Sequence, residues 1–204
     1  MYKFPYFTEN DTNTVVTFMK ENSFAIITAI GETHPVATQV PLFIDINEDG
    51  KILLSGHIMR KTDHHKAFEK NENVLVLFTG PHSYVSASWY TAPQTASTWN
   101  YMTVHVKGKI SLLDETATYE AIKNITEKYE GKETAAAFHK MDEDYIAAML
   151  KAIIAFSIEV ESMENVFKLS QNRDEQSKKN IIEALQKRPD ENSKMIAAEM
   201  IKRL

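Results

Sequence analysis

Between Gly80 and Gly108 the chain reads GPHSYVSASWYTAPQTASTWNYMTVHVKG, which sets both tryptophans, Trp89 and Trp99, among serines, threonines and histidines. Rings give contact area at little entropic cost while hydroxyls and amides fix orientation, so this pattern suits a flat ligand with polar edges. On composition alone, a barrel core closed by aromatics is the commoner source of such a stretch. A second group lies in HIMRKTDHHKAFEKN, where Arg60, Lys61 and Thr62 fall at a strand-to-helix junction. Free helix N–H groups and charged forks converge at such a junction and suit a phosphate, although a solvated turn has the same composition. A third group, FKLSQNR from Phe167 to Arg173, is polar and cationic between a strand and a helix. His64 and His65 are adjacent, diverge on a helix and make no two-ligand face, so no metal site is expected. His82 and His105 have no nucleophile–base–acid order around them, and no hydrolase signature is present.

The elements that must position these groups follow from periodicity. Val15, Val16, Phe18 and Met19 predict a helix over Thr12 to Glu21, with Asn10 or Thr12 as its cap. FAIITAI, a turn at Gly31, and the alternation Val36, Thr38, Val40, Leu42, Ile44 predict a hairpin; Pro41 marks its second strand as an edge or a bulge. The turn at Asn47 to Gly50 leads into a third strand, KILLSGH, then a helix over Asp63 to Asn71 and a strand from Val74 to Thr79 that Gly80-Pro81 ends. Ser83 to Ser88 alternates, with Tyr84, Ser86 and Ser88 on a face that meets water, ligand or partner. Thr91 to Ser97 is a loop, and WNYMTVHVKGKI is a long strand. Asp114 caps a helix that Gly131 ends, and a second helix spans Asp142 to Leu150; this helical pair, near 114–150, covers one barrel opening. Ile154, Phe156, Ile158 and Val160 return to the sheet, and two amphipathic helices broken near Pro189 form the tail. The chain therefore divides into residues 1–173, a barrel domain with its helical insert, and 174–204, a tail packed on it. The fold class is a mixed β-barrel with flanking helices (α+β).

Composition bounds the function. A chain of 204 residues with 43% hydrophobic and 25% charged residues is sized for one good core and is globular in composition. With no cysteine, disulfides, thiolate metal sites and cysteine nucleophiles are excluded. The opening has no cationic lead before an apolar run, and no apolar stretch approaches the roughly 20 residues of a membrane span, so a cytoplasmic protein without a membrane partner is expected. The net charge of −5 builds in no general attraction to nucleic acid.

The runs GPHSYVSASWY, STWNYMTVHVKG and FKLSQNR, with the opening MYKFPYF and the segment GHIMRK, occur in an order that resembles the PaiB family, described as FMN-binding negative transcriptional regulators. The likeness covers nearly the whole chain. It implies a split β-barrel of the flavin-reductase and pyridoxamine-phosphate-oxidase type, a homodimer, and FMN at the subunit interface. By that analogy Arg60, Lys61 and Thr62 meet the phosphate, and Ser86, Ser88, Trp99 and Asn100 lie near the ring and ribityl chain. Lys168, Gln171, Asn172 and Arg173 complete the site, from the same or the other subunit. Where many relatives read RANP, this chain has Arg60-Lys61-Thr62-Asp63; an inward Asp63 would oppose a phosphate. Three function classes stay open: a flavin-linked regulator acting without tight direct DNA binding, a flavin-dependent oxidoreductase, and haem handling with His57, His64, His65 or His139 as axial ligand.

Overall fold

The structure is a computed structural model that describes residue 1 and residues 4–204; Tyr2 and Lys3 of the MYKFPYF opening lie outside the described residues. Helices begin where a short polar side chain takes up a free amide. In chain order they are α1 (Thr12–Glu21), α2 (Asp63–Lys70), α3 (Glu115–Glu130), α4 (Glu143–Ala152), α5 (Glu175–Gln186) and α6 (Glu191–Ile201). Their caps are Asp11, Thr62, Asp114, Asp142, Asp174 and Asp190, each accepting from the N–H three residues on. The first cap is neither Asn10 nor Thr12. Asp11 Oδ2 also accepts from the Thr14 hydroxyl, and that second bond selects it.

Seven strands, β1 (Phe24–Ala29), β2 (Val36–Pro41), β3 (Phe43–Ile46), β4 (Ile52–Met59), β5 (Asn73–Val85), β6 (Thr98–Leu112) and β7 (Ile153–Lys168), form one sheet. Its order is β2-β1-β5-β6-β7-β4-β3. The pairs β1–β2, β1–β5, β3–β4 and β4–β7 are antiparallel. Pro41 closes an edge strand, as a residue without a ladder donor should. The alternating run around it splits at Leu42 into β2 and β3, which lie on opposite edges. Gly80-Pro81 does not end a strand either, because β5 runs through it. The Phe18 ring covers Gly80 so closely that a Cβ there would lie 2.5 Å from Phe18 Cε2, and glycine is what that approach requires.

The chain forms two compact units. One comprises Met1–Asn22, Phe78–His105 and Glu164–Leu204, with Met19, Phe78, Phe167, Ile181, Leu185 and Ile196 fully buried. The other comprises Ser23–Leu77 and Val106–Met163, around Ile27, Leu42, Leu54, Val76, Phe156 and Ile158. In the second unit Ile122, Phe138 and Ile153 tie α3 to the approach to β7, with Ile146 and Met149 of α4 against them. No helix among the described residues is long and apolar enough to cross a membrane.

Candidate functional site

In the second unit, β4 delivers Arg60 and Lys61 to the start of α2. The Arg60 backbone N–H donates to Ala152 O and its Nε to Ile153 O, both at 2.8 Å, which anchors the side chain by one edge. Lys61 is held at φ +66°, in the left-handed region, and its N–H donates to His65 Nδ1 at 3.4 Å. His65 Nδ1 also lies 3.8 Å from Glu69 Oε2, and its Nε2 is buried and has no partner. Neither Arg60 nor Lys61 has an ion-pair partner among the described residues. A strained turn holding two cations without ion-pair partners beside a buried, unpartnered ring nitrogen fits an oxyanion. The Thr62 hydroxyl already donates to Met59 O and accepts from His65 N–H, so it serves the cap. Asp63 is exposed and turned to the backbone and ring of His64, and the His64 N–H bond holds its carboxyl below the ordinary range.

In the first unit, Ser86 Oγ and Ser88 Oγ lie 2.8 Å apart in a short 3-10 turn just beyond β5, and Ser97 Oγ accepts from Ala87 N–H at 2.9 Å. Trp99 is 53% exposed and packs against Tyr84 and His82, each with ring centroids 6.0 Å away. Asn100 is fully buried: its amide donates to Ser170 Oγ at 3.0 Å and accepts from it at 3.1 Å. Ser170 sits at φ +61°, and Gln171 closes this turn by donating to Phe167 O and accepting from Leu169 N–H. Asn172 is exposed. Lys168 Nζ donates to Thr98 Oγ1 at 2.5 Å, and burial, then Arg173, push its pKa down. The Arg173 guanidinium lies 4.0 Å over the Tyr90 ring, whose hydroxyl is buried without a partner. The sequence reading missed Tyr90 and considered His65 only as a metal or haem ligand. Tyr90 ends the SWY run beside Ser86 and Ser88, but its contact with Arg173 joins distant parts of the chain and leaves no local signal.

Two cavities avoid these residues. One of about 730 Å³ in the first unit is lined by Thr14, Phe18, Met102, Phe167, Glu199 and Arg203. The other, about 450 Å³ in the second unit, is lined by Phe43, Ser55, His57, Asn124 and Lys128. Burial lowers the pKa of His57. His64 contacts the Thr62 hydroxyl and Asp63, and His139 lies in a 3-10 turn after α3.

The family model described as "Putative FMN-binding domain" matches residues 1–162. The chain is 35% identical over 198 residues to "Protease synthase and sporulation protein PAI 2" of Bacillus subtilis, covering 97% of this chain and 95% of that protein. It is 26% identical over 221 residues to an uncharacterised protein of Aspergillus fumigatus, covering 83% and 85%. Among solved structures, a flavocytochrome of Azotobacter vinelandii superposes with a TM-score of 0.61 at 15% identity, covering 82% of this chain and 72% of that one. An FAD and heme binding protein of Mycobacterium smegmatis gives 0.58 at 13%, covering 79% and 73%. The fold is the split β-barrel with flanking helices that the resemblance implies.

Proposed function

We propose, from the premise that the chain belongs to the FMN-binding-domain family, that it is a flavin-linked regulator of the PaiB type in which Arg60 and Lys61 hold the FMN phosphate. FMN is the cofactor of this split barrel. The supporting observation is the pair of cations at the strained turn before α2, neither of them in an ion pair among the described residues, with Asp63 turned to His64. Thr62 serves that site by capping α2, and His65 by holding the turn at Lys61. In the same proposal Ser86, Ser88 and Trp99 serve the ribityl chain and ring. Asn100, through Ser170, and Gln171 fix the turn that carries Lys168, Asn172 and Arg173. Bound FMN would supply redox chemistry; the residues named here bind and orient it.

The test is affinity for FMN against riboflavin, read from flavin fluorescence. FMN binds more tightly, and Arg60→Ala raises its Kd by about tenfold or more, because charge-assisted hydrogen bonds contribute roughly 1.5–3 kcal/mol. Equal affinity for the two flavins, or an unchanged Kd in the variant, removes the phosphate role. The protein acts as a homodimer, supported by Tyr84 and Trp99, which expose large rings on neighbouring parts of the sheet. Sedimentation showing a monomer that binds FMN tightly would sink that part alone.

A further inference from the structure

None of the residues named for FMN lines the cavity of about 730 Å³, and every residue that does line it belongs to the first unit. Two helices form its walls. On α1, Thr14, Thr17, Phe18 and Glu21 share one face by their i, i+3, i+4, i+7 spacing, and on α6 Met195, Ala198, Glu199 and Lys202 repeat that spacing. The floor between them is apolar. Phe18 and Phe167, both buried, lie with ring centroids 5.0 Å apart, and buried Met102 of β6 extends the surface. Phe18 reaches this position because Gly80 of β5 has no Cβ to meet its ring. Thr17 and Ala198 are exposed and too short to fill the space between the walls. Sites for small organic molecules have this form, with volumes of roughly 300–1,000 Å³ and a mostly apolar lining.

The rim selects the charge of the occupant. Glu9, Asp11, Glu21 and Glu199 line the cavity against only two cations, Lys202 and Arg203, an excess of two negative charges. Both cations are already held. Lys202 Nζ lies 2.6 Å from Glu199 Oε1, while Arg203 joins Glu199 Oε2 at 2.5 Å to Glu9 Oε2 at 3.8 Å. Asp11 and Glu21, exposed at opposite ends of α1, pair with no cation among the described residues. A cleft lined by one sign of charge over low-dielectric walls concentrates the opposite ion, and it repels a flavin phosphate.

We propose that this cleft binds an organic cation with an apolar body, an alkyl- or arylammonium. The body lies on Phe18, Met102 and Phe167, and the ammonium faces the rim carboxylates, Glu21 foremost because it is exposed and unpaired. This site is separate from the flavin reading and does not depend on it.

The experiment titrates the full chain, with and without added FMN, with 4-phenylbutylamine, 4-phenylbutanol and 4-phenylbutanoate by calorimetry. The amine binds in both conditions, the alcohol at least about fivefold more weakly, and the carboxylate more weakly still. Glu21→Lys weakens the amine by about fivefold or more and leaves the alcohol within about twofold. Ala198→Trp, which fills the cleft from an exposed helix position, weakens both by about tenfold or more. The FMN Kd stays within about twofold of wild type in both variants. Alcohol or carboxylate binding as tightly as the amine, or an amine affinity unmoved by either variant, overturns the proposal. So does FMN displacing the amine, or an FMN Kd raised by Ala198→Trp, because the cavity would then be the flavin's. An unchanged FMN Kd in Arg60→Ala counts against the flavin reading instead, so the two failures are told apart. Glu21→Lys, at an exposed helix end, decides the matter if Ala198→Trp does not fold.

Discussion

Asp174 accepts from Ser177 N–H at 2.9 Å, from the Ser177 hydroxyl at 2.6 Å and from the Thr91 hydroxyl at 3.0 Å. These donors favour the ionised carboxylate, the Ser177 hydroxyl most, and pull its pKa down to about 2. In the unfolded chain an aspartate titrates near about 3.9. The folded value is the lower one, so the stabilisation is complete above about pH 4 and is lost as pH falls towards 2. Asp174→Ala is therefore expected to lower the Tm at neutral pH, and the gap from wild type narrows between about pH 4 and pH 2. Thermal melts by circular dichroism across that range test it. A gap of constant size from pH 7 to pH 2 would show that the charge of Asp174 is not what the cap uses.

At the scale of elements, Gly108 shows how closely β6 approaches the chain of β7. A Cβ at Gly108 would lie 2.4 Å from Glu159 O and 2.8 Å from Ile158 Cγ2. Backbone oxygen cannot yield as a side-chain tip can, so Gly108→Ala is expected to cost about 1–3 kcal/mol, against about ±0.5 kcal/mol for a surface control such as Lys107→Ala. Urea denaturation of the two variants tests this, and equal midpoints would refute the close packing. Helices were largely legible in the sequence because caps and apolar stripes are local: Asp114, Gly131 and Pro189 mark real boundaries. The single long β5 was not legible. Gly80-Pro81 has the composition of a turn, yet β5 runs through it, and the glycine there makes room for the Phe18 ring, more than 60 positions away in the chain. Pro41 gave the edge correctly, but the change from β2 to β3 at Leu42 leaves the alternation of apolar residues intact, so periodicity reads one strand where there are two. The candidate site divides in the same way. Arg60, Lys61 and Arg173 were legible as charges, whereas the burial of Asn100 and the platforms of His65 and Tyr90 depend on contacts that spacing does not encode.

For the whole molecule, the question of DNA is one of free charge. Direct repression needs a surface that neutralises several phosphates, and binding then falls with salt at a log–log slope of about −0.9 per phosphate contacted. The net charge is −5, and residues 173–204, with eight Lys or Arg against six Asp or Glu, are the only stretch with a modest cationic excess around a helix–turn–helix outline. The structure occupies most of those cations. Lys178, Lys187, Lys194 and Lys202 pair with Glu175, Glu183, Glu191 and Glu199 on their own helices, and Arg203 pairs with Glu199 and Glu9. Arg188 lies 5.2 Å over Trp89 and donates to Tyr84 O. The apolar residues of both helices, Ile181, Leu185, Ile196 and Met200, are turned into the core of their unit. Exposed i,i+3 and i,i+4 pairs contribute little to stability, but they cancel the field that a DNA-reading helix needs. The protein is therefore expected to bind genomic fragments no better than micromolar at physiological salt, with any regulatory effect running through the flavin or a protein partner. An anisotropy titration across salt concentrations tests this. Nanomolar binding to one fragment, steeply salt-dependent and lost in Lys178→Glu/Lys179→Glu, would mean that the helical tail reads DNA after all and that its ion pairs open to do so.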